Sequence, residues 1–443
     1  MSGIIVVGLG PGTPELLTAE AHAVLNEARE IWVRARSHPV LDALPPHLTL
    51  HTFDDASEAK ADTDPGARYR EIAERVVRLG QRPEGVLYGV PGSPWLGEVT
   101  VRHIVEGARA RGVPVRLVQG VSFVEPVLAA LELTTPAALQ VADATAVAAR
   151  YFPPLEADRP AIVAQLDSHA LAVRVQAILL ELYPDDHPVV LVEAAGTPHQ
   201  RVIPLALGAL GRHAEWRWLT ALYIPPRQEP ASLSAFMDII FHLRSPEGCP
   251  WDREQTHLSL RPFLLEEAYE VLHALDHEDM DALREELGDL WLQIALHAQM
   301  ATEEGHFTVA DVLATVGQKM IRRHPHVFGD VQVESAQDVL RNWEQLKREE
   351  KGEREKGQDP FAGIPPALPA LAFAQKVTKR AAKLGWSLPP LDELWNAWRR
   401  DPSASTLGAL LLGLAEAARQ VDIDAESALR EAASRLTERK KNG

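Results

Sequence analysis

The chain carries a single cysteine, Cys249, so no intramolecular disulfide can form and a disulfide-stapled secreted fold is excluded. No apolar run approaches the roughly 20 residues that a membrane-spanning helix needs. Even LGALLLGLAEAA breaks off at Glu416. Positive charge is in deficit, with 45 Lys and Arg against 62 Asp and Glu and a formal net charge of −17. Nucleic acid and anionic membranes both recruit proteins through basic surfaces that displace counterions, so neither partner is expected. A polyphosphate substrate would need a metal to mask its charge. The opening MSGIIVVGLG has neither a basic n-region nor an apolar segment long enough for export, so the expected location is cytoplasmic.

What is present is the composition of a folded, multidomain protein. A hydrophobic share of 46% beside 24% charged residues leaves no room for extensive disorder, and 443 residues exceed what one core usually serves. From Gly3 to about Pro225, short β-rich runs (IIVVG, GVLYGV, VPVRLV, AIVAQL, PVVLVEAAG) alternate with helical stretches, the pattern of an α/β layer domain. The proline-rich Tyr223-Ile224-Pro225-Pro226-Arg227-Gln228-Glu229-Pro230 ends it, and Ser232 follows as a helix N-cap. Beyond lie amphipathic segments at Ser232–Leu243, Ser259–Leu275, Asp279–Glu304, Val309–Arg323 and Ala336–Glu350, an all-α bundle. A charge run from Lys347 to Gln358 and a proline-rich stretch to Pro369 read as a solvated helix end and linker, followed by a third helical segment. The expected domains are therefore 1–226, 232–352 and 367–443.

The bundle holds the most informative spacing. Glu266, Glu267 and Glu270 fall within one arc of about 100° on a helix, because each residue turns the helix by about that angle. After fifteen residues (271 to 285) come Glu286 and Asp289, one turn apart on the next helix. The gap suits an antiparallel hairpin that brings both acidic faces together. Carboxylates packed that closely raise one another's pKa unless a cation neutralises them, and an all-oxygen donor set selects a hard ion, Mg²⁺ or Mn²⁺. An isolated ExxE is usually a solvated face. Here Phe263, Leu264, Tyr269, Leu272, Leu287, Leu290, Trp291 and Ile294 flank the acids, so the carboxylates are expected to border a buried seam. Glu270 and His273 form one Glu-x-x-His pair, but a di-iron bundle needs the pair twice, and the second helix offers Asp289 instead.

Cations follow. Lys319, Arg322 and Arg323 lie within about one helical turn, and Trp343 with Lys347 are spaced i, i+4, which supplies phosphate partners and a flat surface for a base. His324-Pro325-His326 reads as a helix stop rather than a metal site. Cys249 has no nearby His or second Cys and is expected to be buried packing.

EEAYE, fifteen residues, then ELGD resembles the EExxE…ExxD signature of the MazG family, and RSPEGCPWDREQT, LREELGDLWLQIALHAQMA, KMIRRHPHVFGDV and VLRNWEQLKREE extend the likeness from Leu243 to Glu350. The resemblance implies hydrolysis of (d)NTPs between the α and β phosphates to a monophosphate and pyrophosphate, with Mg²⁺ held by Glu267, Glu270, Glu286 and Asp289. It implies further that Lys319, Arg322 and Arg323 bind the triphosphate and that Trp343 touches the nucleotide. Glu266, beside the cluster, is the candidate for orienting or deprotonating the attacking water.

Leu368-Pro369-Ala370-Leu371-Ala372-Phe373-Ala374-Gln375-Lys376 resembles the start of a second MazG repeat, but its ExxD positions are Thr406 and Ala409, so no metal is expected there. The stripe Leu407, Leu410, Leu411, Leu414, Ala418, Val421 suits packing or association into a homo-oligomer, with a dimer through the helical domains expected. At the N-terminus, Gly8-Leu9-Gly10-Pro11-Gly12, Val90-Pro91-Gly92-Ser93-Pro94, Gly120-Val121-Ser122-Phe123 and Ala194-Ala195-Gly196-Thr197 together resemble the tetrapyrrole (corrin/porphyrin) methylase family over about residues 3 to 225. That likeness implies S-adenosylmethionine binding through Gly8, Gly10, Gly92, Ser93 and Ser122. Ser93 stands where many methylases have an acid, and a fold does not dictate an activity. The alternative to the hydrolase is thus an S-adenosylmethionine-binding protein or methyltransferase whose MazG part is regulatory.

Overall fold

A computed structural model describes residues 3–34, 36, 38–53, 65–134, 138–216, 219–352 and 359–438. The chain divides into two compact units, Met1–Val309 and Ala310–Gly443. No helix among the described residues is long and apolar enough to cross a membrane.

The first unit opens with a parallel sheet of β1 (Ile4–Gly8), β2 (Glu30–Val33), β3 (Thr49–Thr52), β4 (Val86–Val90) and β5 (Val115–Val118), ordered β3-β2-β4-β1-β5. Helices α1 (Ala19–Glu27), α2 (Pro65–Gly80) and α3 (Val99–Ala110) make the crossovers. Central strands of such a sheet are covered on both faces, which explains an unbroken run such as IIVV. Ile4 and Val6 pack into one core with Ile72, Val76 and Ile104, while Val7 faces a second core with Leu25 and Ile31. After α4 (Val124–Ala130), a mixed sheet forms from β6 (Gln140–Asp143), β7 (Ala161–Ala164), β8 (Pro188–Glu193), β9 (Arg201–Ala206) and β10 (Thr220–Ile224), ordered β6-β7-β10-β8-β9. It carries α5 (Ala144–Ala148) and α6 (His169–Leu179). Its β10 strand is buried along its whole length.

Ser232 then caps α7 (Leu233–Arg244) by accepting the Ala235 amide, and its hydroxyl also donates to Asp158 at 2.7 Å, tying the helix start to the sheet domain. Next come α8 (Pro250–Glu254), α9 (Arg261–Asp276) and α10 (Met280–Glu303), whose N-cap Asp279 accepts from Asp281 and Ala282. Ile240, Leu260, Ala295, Leu296 and Met300 form the core between α7 and α10. Cys249 is half-buried rather than fully buried, because it sits at the N-cap of α8 where the chain turns back.

The second unit contains most of α11 (Val309–Arg323), then α12 (Pro325–Phe328), α13 (Ala336–Gly352), α14 (Ala370–Lys383), α15 (Leu391–Arg400), α16 (Ala404–Gln420) and α17 (Ala425–Glu438). Of the linker expected from Lys347 to Gln358, the backbone through Gly352 is helical and residues 353–358 lie outside the described residues.

One ion pair fastens the α7–α10 layer. Arg244, with a side chain only 7% exposed, donates through Nη2 to Glu303 Oε2 at 2.7 Å and through Nε to Glu303 Oε1 at 3.0 Å. These bonds, led by the Arg244 hydrogen bond, hold the Glu303 carboxyl below the usual range. A depressed carboxylate pKa contributes stability above the unfolded value and loses it as pH falls through the folded one. Arg244→Ala should therefore cost about 1–3 kcal/mol at neutral pH, since a hydrogen-bonded partner of a charged group is removed, and the loss should shrink on acidification below the ordinary carboxylate range. Chemical denaturation at pH 7 and at about pH 3, below the ordinary carboxylate range, checks both.

Candidate metal centre and an N-terminal cleft

The hairpin of α9 and α10 converts two helical spacings into one cluster. Glu267, Glu270 and Glu286 each offer a carboxylate oxygen, and these atoms all lie within 4.8 Å of one another, the one such grouping of three among the described residues. Glu267 is pushed above its ordinary value first by burial, then by a hydrogen bond with Glu270 and the charges of Asp289, Glu270 and Glu266. Glu286 is pushed up by partial desolvation on the helix surface and by Glu270, Asp289 and Glu285, with His273 pulling the other way. Asp289 therefore stands close enough to act on both without joining the group of three. Glu266 is exposed and lies outside that group, although its charge reaches Glu267. The donor set is all oxygen and suits a hard divalent cation.

The expected seam differs. Phe263, Leu272, Leu287, Trp291 and Ile294 are 36% to 49% exposed. Two helices can bury only the stripes that face each other and α7, and here those stripes are Ala274, Ala295, Leu296 and Met300. The flanking apolar residues are left on the open side.

In the second unit Lys319, Arg322 and Arg323 share the last turns of α11. The Arg323 guanidinium lies 5.4 Å from the centroid of the Trp343 ring, and His324 meets the same ring edge-on at 4.9 Å. One face of the indole is thus already covered by a cation. His324 Nδ1 bonds to the Met320 carbonyl oxygen at 2.7 Å, in keeping with a helix stop. The Lys347 side chain lies outside the described residues.

In the N-terminal domain, connections leave β1 and β4 in opposite directions, and a crevice opens at the carboxyl ends of strands at such a switch point. Three backbone loops meet there. Gly10 and Gly92 pair as an isolated bridge, and a Cβ on Gly120 would stand 2.1 Å from the Gly92 carbonyl oxygen. The adjoining cleft, ≈ 670 Å³ with its open mouth included, is lined by Pro11, Gly92, Leu96, Phe123, Val127 and Ala221 among others. Of the five residues singled out for a cofactor, Gly92 lines this cleft. Gly8 and Gly10 instead allow the loops to approach. Ser93 is buried with its hydroxyl accepting the Trp95 amide at 3.4 Å, and Ser122 binds Glu125. Arg34, Glu98, Gln165 and Asp167 also line the cleft, and sequence reasoning passed over them. Their signal was weak: single polar residues in loops or at a helix start, in segments 64 to 69 residues apart.

The model of the MazG nucleotide pyrophosphohydrolase domain matches residues 255–328, and that of the tetrapyrrole (corrin/porphyrin) methylases matches 3–211. The uncharacterized protein YabN of Bacillus subtilis (strain 168) is 39% identical over 381 residues, 85% of this chain and 76% of its own length. The nucleoside triphosphate pyrophosphohydrolase/pyrophosphatase MazG of Thermotoga maritima is 42% identical over 216 residues, covering 46% of this chain and 82% of that protein. The chain belongs to the MazG family. More fully, it is a YabN-type MazG protein with a tetrapyrrole-methylase-like domain at its N-terminus. The nucleoside triphosphate pyrophosphohydrolase of Escherichia coli (strain K12) is 48% identical over 155 residues, 35% of this chain and 59% of its own. Among solved structures, uroporphyrin-III-C-methyltransferase from Thermus thermophilus is 23% identical over 51% of this chain and 93% of that one, with a TM-score of 0.38.

In this MazG-family chain the C-terminal segment carries no matching acids. Thr406 is occupied in a capping box with Ser403 and donates to the Asp401 carbonyl at 2.6 Å, so the side chain at that position closes the start of α16. The glycine junction gives a direct test of the cleft's architecture. Gly120→Ala should destabilise the chain by about 1–3 kcal/mol, the usual cost of forcing an extra group into a packed site, read as a lowered melting temperature, whereas Gly408→Ala, in α16 with open space around it and no positive φ, should not.

Proposed function

We propose that the chain is a divalent-metal-dependent nucleoside triphosphate pyrophosphohydrolase, cleaving (d)NTPs between the α and β phosphates to a monophosphate and pyrophosphate in nucleotide-pool housekeeping. The convergence of the Glu267, Glu270 and Glu286 carboxylates within 4.8 Å supports this reading most directly. Desolvation first, and then the neighbouring carboxylates, push Glu267 and Glu286 above their ordinary values, a cost that a cation between them would offset. Glu267, Glu270, Glu286 and Asp289 would hold Mg²⁺ or Mn²⁺. When bound, such an ion neutralises charge on the phosphates and acidifies a coordinated water.

The remaining roles fall to the chain itself. Glu266 would orient the attacking water or take its proton, since it stands beside the cluster and outside the ligating group. Lys319, Arg322 and Arg323 would pair with phosphate oxygens and offset charge on the pyrophosphate leaving group, with Lys347 as a further phosphate partner. Trp343 would contact the base. No covalent intermediate is needed. A second reading concerns the N-terminal domain. Its match to the methylase family and the cleft beside the glycine junction support S-adenosylmethionine as a ligand there, with Gly92 in the lining and Gly8, Gly10, Ser93 and Ser122 in the adjoining loops.

Three outcomes are expected. Glu270→Gln abolishes pyrophosphate release from dNTPs while circular dichroism stays unchanged; an unimpaired rate in excess Mg²⁺ would sink the site. Mg²⁺ raises the melting temperature of the wild type and not of Glu270→Gln. Because the raised carboxylates are protonated first as pH falls, this metal-induced shift should weaken on acidification toward the ordinary carboxylate range. Glu266→Gln lowers kcat by roughly 10²–10⁴, as loss of a general base does, while retaining the Mg²⁺-induced shift.

A further inference from the structure

The face of α10 that carries the acids continues past them. Because each residue turns a helix by about 100°, Glu286, Asp289, Gln293 and His297 fall within one arc of about 80° along α10. On α9, Phe263, Glu267 and Glu270 share an arc of about 60° in the same way. Glu270 meets Glu286 in the acidic cluster, and His257, just before α9, meets His297 with their Nδ1 atoms 2.8 Å apart. The antiparallel register is thus fixed at both ends of the stripe. Counting seven residues along each helix from Glu270 and Glu286 places Phe263 level with Gln293.

Within the stripe the carboxylates keep some exposure and the two histidines answer each other, whereas Gln293 is only 5% exposed. Its Oε1 is buried and has no hydrogen-bond partner among the described residues. A buried carbonyl oxygen without a donor costs free energy, and such a group persists where something outside the chain supplies the donor. Gln299, six residues further on, shows the ordinary arrangement: it is as deeply buried, and its Nε2 donates to Glu303 Oε1 at 3.1 Å. At the level of Gln293 stands an apolar wall. Phe263 and Trp251 of α8 are both exposed and meet edge to face, with ring centroids 6.2 Å apart.

A sugar hydroxyl would answer the amide and leave the rings uncovered. A flat ligand that is apolar on its faces and polar at its edge answers both. Gln293 lies about 10 Å along the helix axis from Glu286, so a triphosphate held at the acids sets its base, not its phosphates, at this level. We propose that Gln293 reads the hydrogen-bonding edge of the substrate's nucleobase, its carboxamide accepting from an N–H of the base and donating to the neighbouring acceptor, with Phe263 and Trp251 against the ring. The amide torsion is two-fold, so its oxygen and nitrogen can exchange places. Every standard base presents a donor beside an acceptor at its edge, so this arrangement admits all of them and disfavours a base without an N–H.

The inference rests on the pyrophosphohydrolase reading, and its test lets each fail separately. Pyrophosphate release by the full chain in excess Mg²⁺ is compared for ATP and for purine riboside 5′-triphosphate, the same nucleotide without the amino group. The expected kcat/KM is at least about 10-fold higher for ATP, since a buried polar group is left unpaired by the analogue. Gln293→Met, close in volume and without the unanswered oxygen, is expected to bring that ratio to about 1 through a raised KM for ATP, at an unchanged or higher melting temperature. Gln299→Met is expected to lower the melting temperature and leave the ratio intact. Equal use of both nucleotides by the wild type would overturn the base-edge reading and spare the pyrophosphohydrolase; release from neither would overturn both. A Gln293→Met chain that keeps the wild-type ratio would overturn the assignment to Gln293, and a lowered melting temperature beside it would mark the amide as a partner of internal water.

Discussion

Carboxylates that approach one another without a counter-ion repel, and the α9–α10 hairpin holds three of them within 4.8 Å. That arrangement persists because the two helices are fixed by groups unrelated to the acids: the apolar layer of Ile240, Leu260, Leu296 and Met300, and the Arg244–Glu303 bonds at the far end of α10. The repulsion is a local cost set against packing elsewhere, and a cation bound there would remove it. Sites of this kind are preorganised by the scaffold, so that ion binding reports on the fold as much as on the ligands.

The N-terminal domain solves a different problem. There the backbone itself forms the junction, with Gly8, Gly92 and Gly120 meeting so closely that a side-chain carbon on the last would overlap a carbonyl oxygen. Close approach of three loops leaves a cleft at the carboxyl end of the parallel sheet. Its walls come from α4, β10 and the loops after β2 and β7, elements distributed over nearly the whole domain. The helical and α/β parts thus position chemistry by different means, one by side chains at helical period and the other by backbone contact.

Much of the acidic centre was legible because helical periodicity and hairpin spacing are local. Glu267, Glu270 and Glu286 could be brought together on the page from a turn of about 100° per residue and a fifteen-residue gap. The N-cap Ser232 was visible for the same reason. The apolar residues beside the acids were misread, since a stripe on a helix says that a face is apolar and not that anything covers it. At Trp343 the spacing offered a flat surface for a base, and the structure adds that Arg323 lies over one face of the ring.

The sequence alone determined the order of an α/β domain before helices, the family on which the acids lie, and the absence of a second acidic pair at Thr406 and Ala409, because each is encoded in neighbouring residues. Tertiary structure alone decided that Asp289 stands beside the three glutamates rather than among them, and that Arg34, Glu98, Gln165 and Asp167 share one cleft. Those residues come from three separate segments. Their meeting depends on how two sheets and their crossovers pack, a long-range outcome that no local spacing carries.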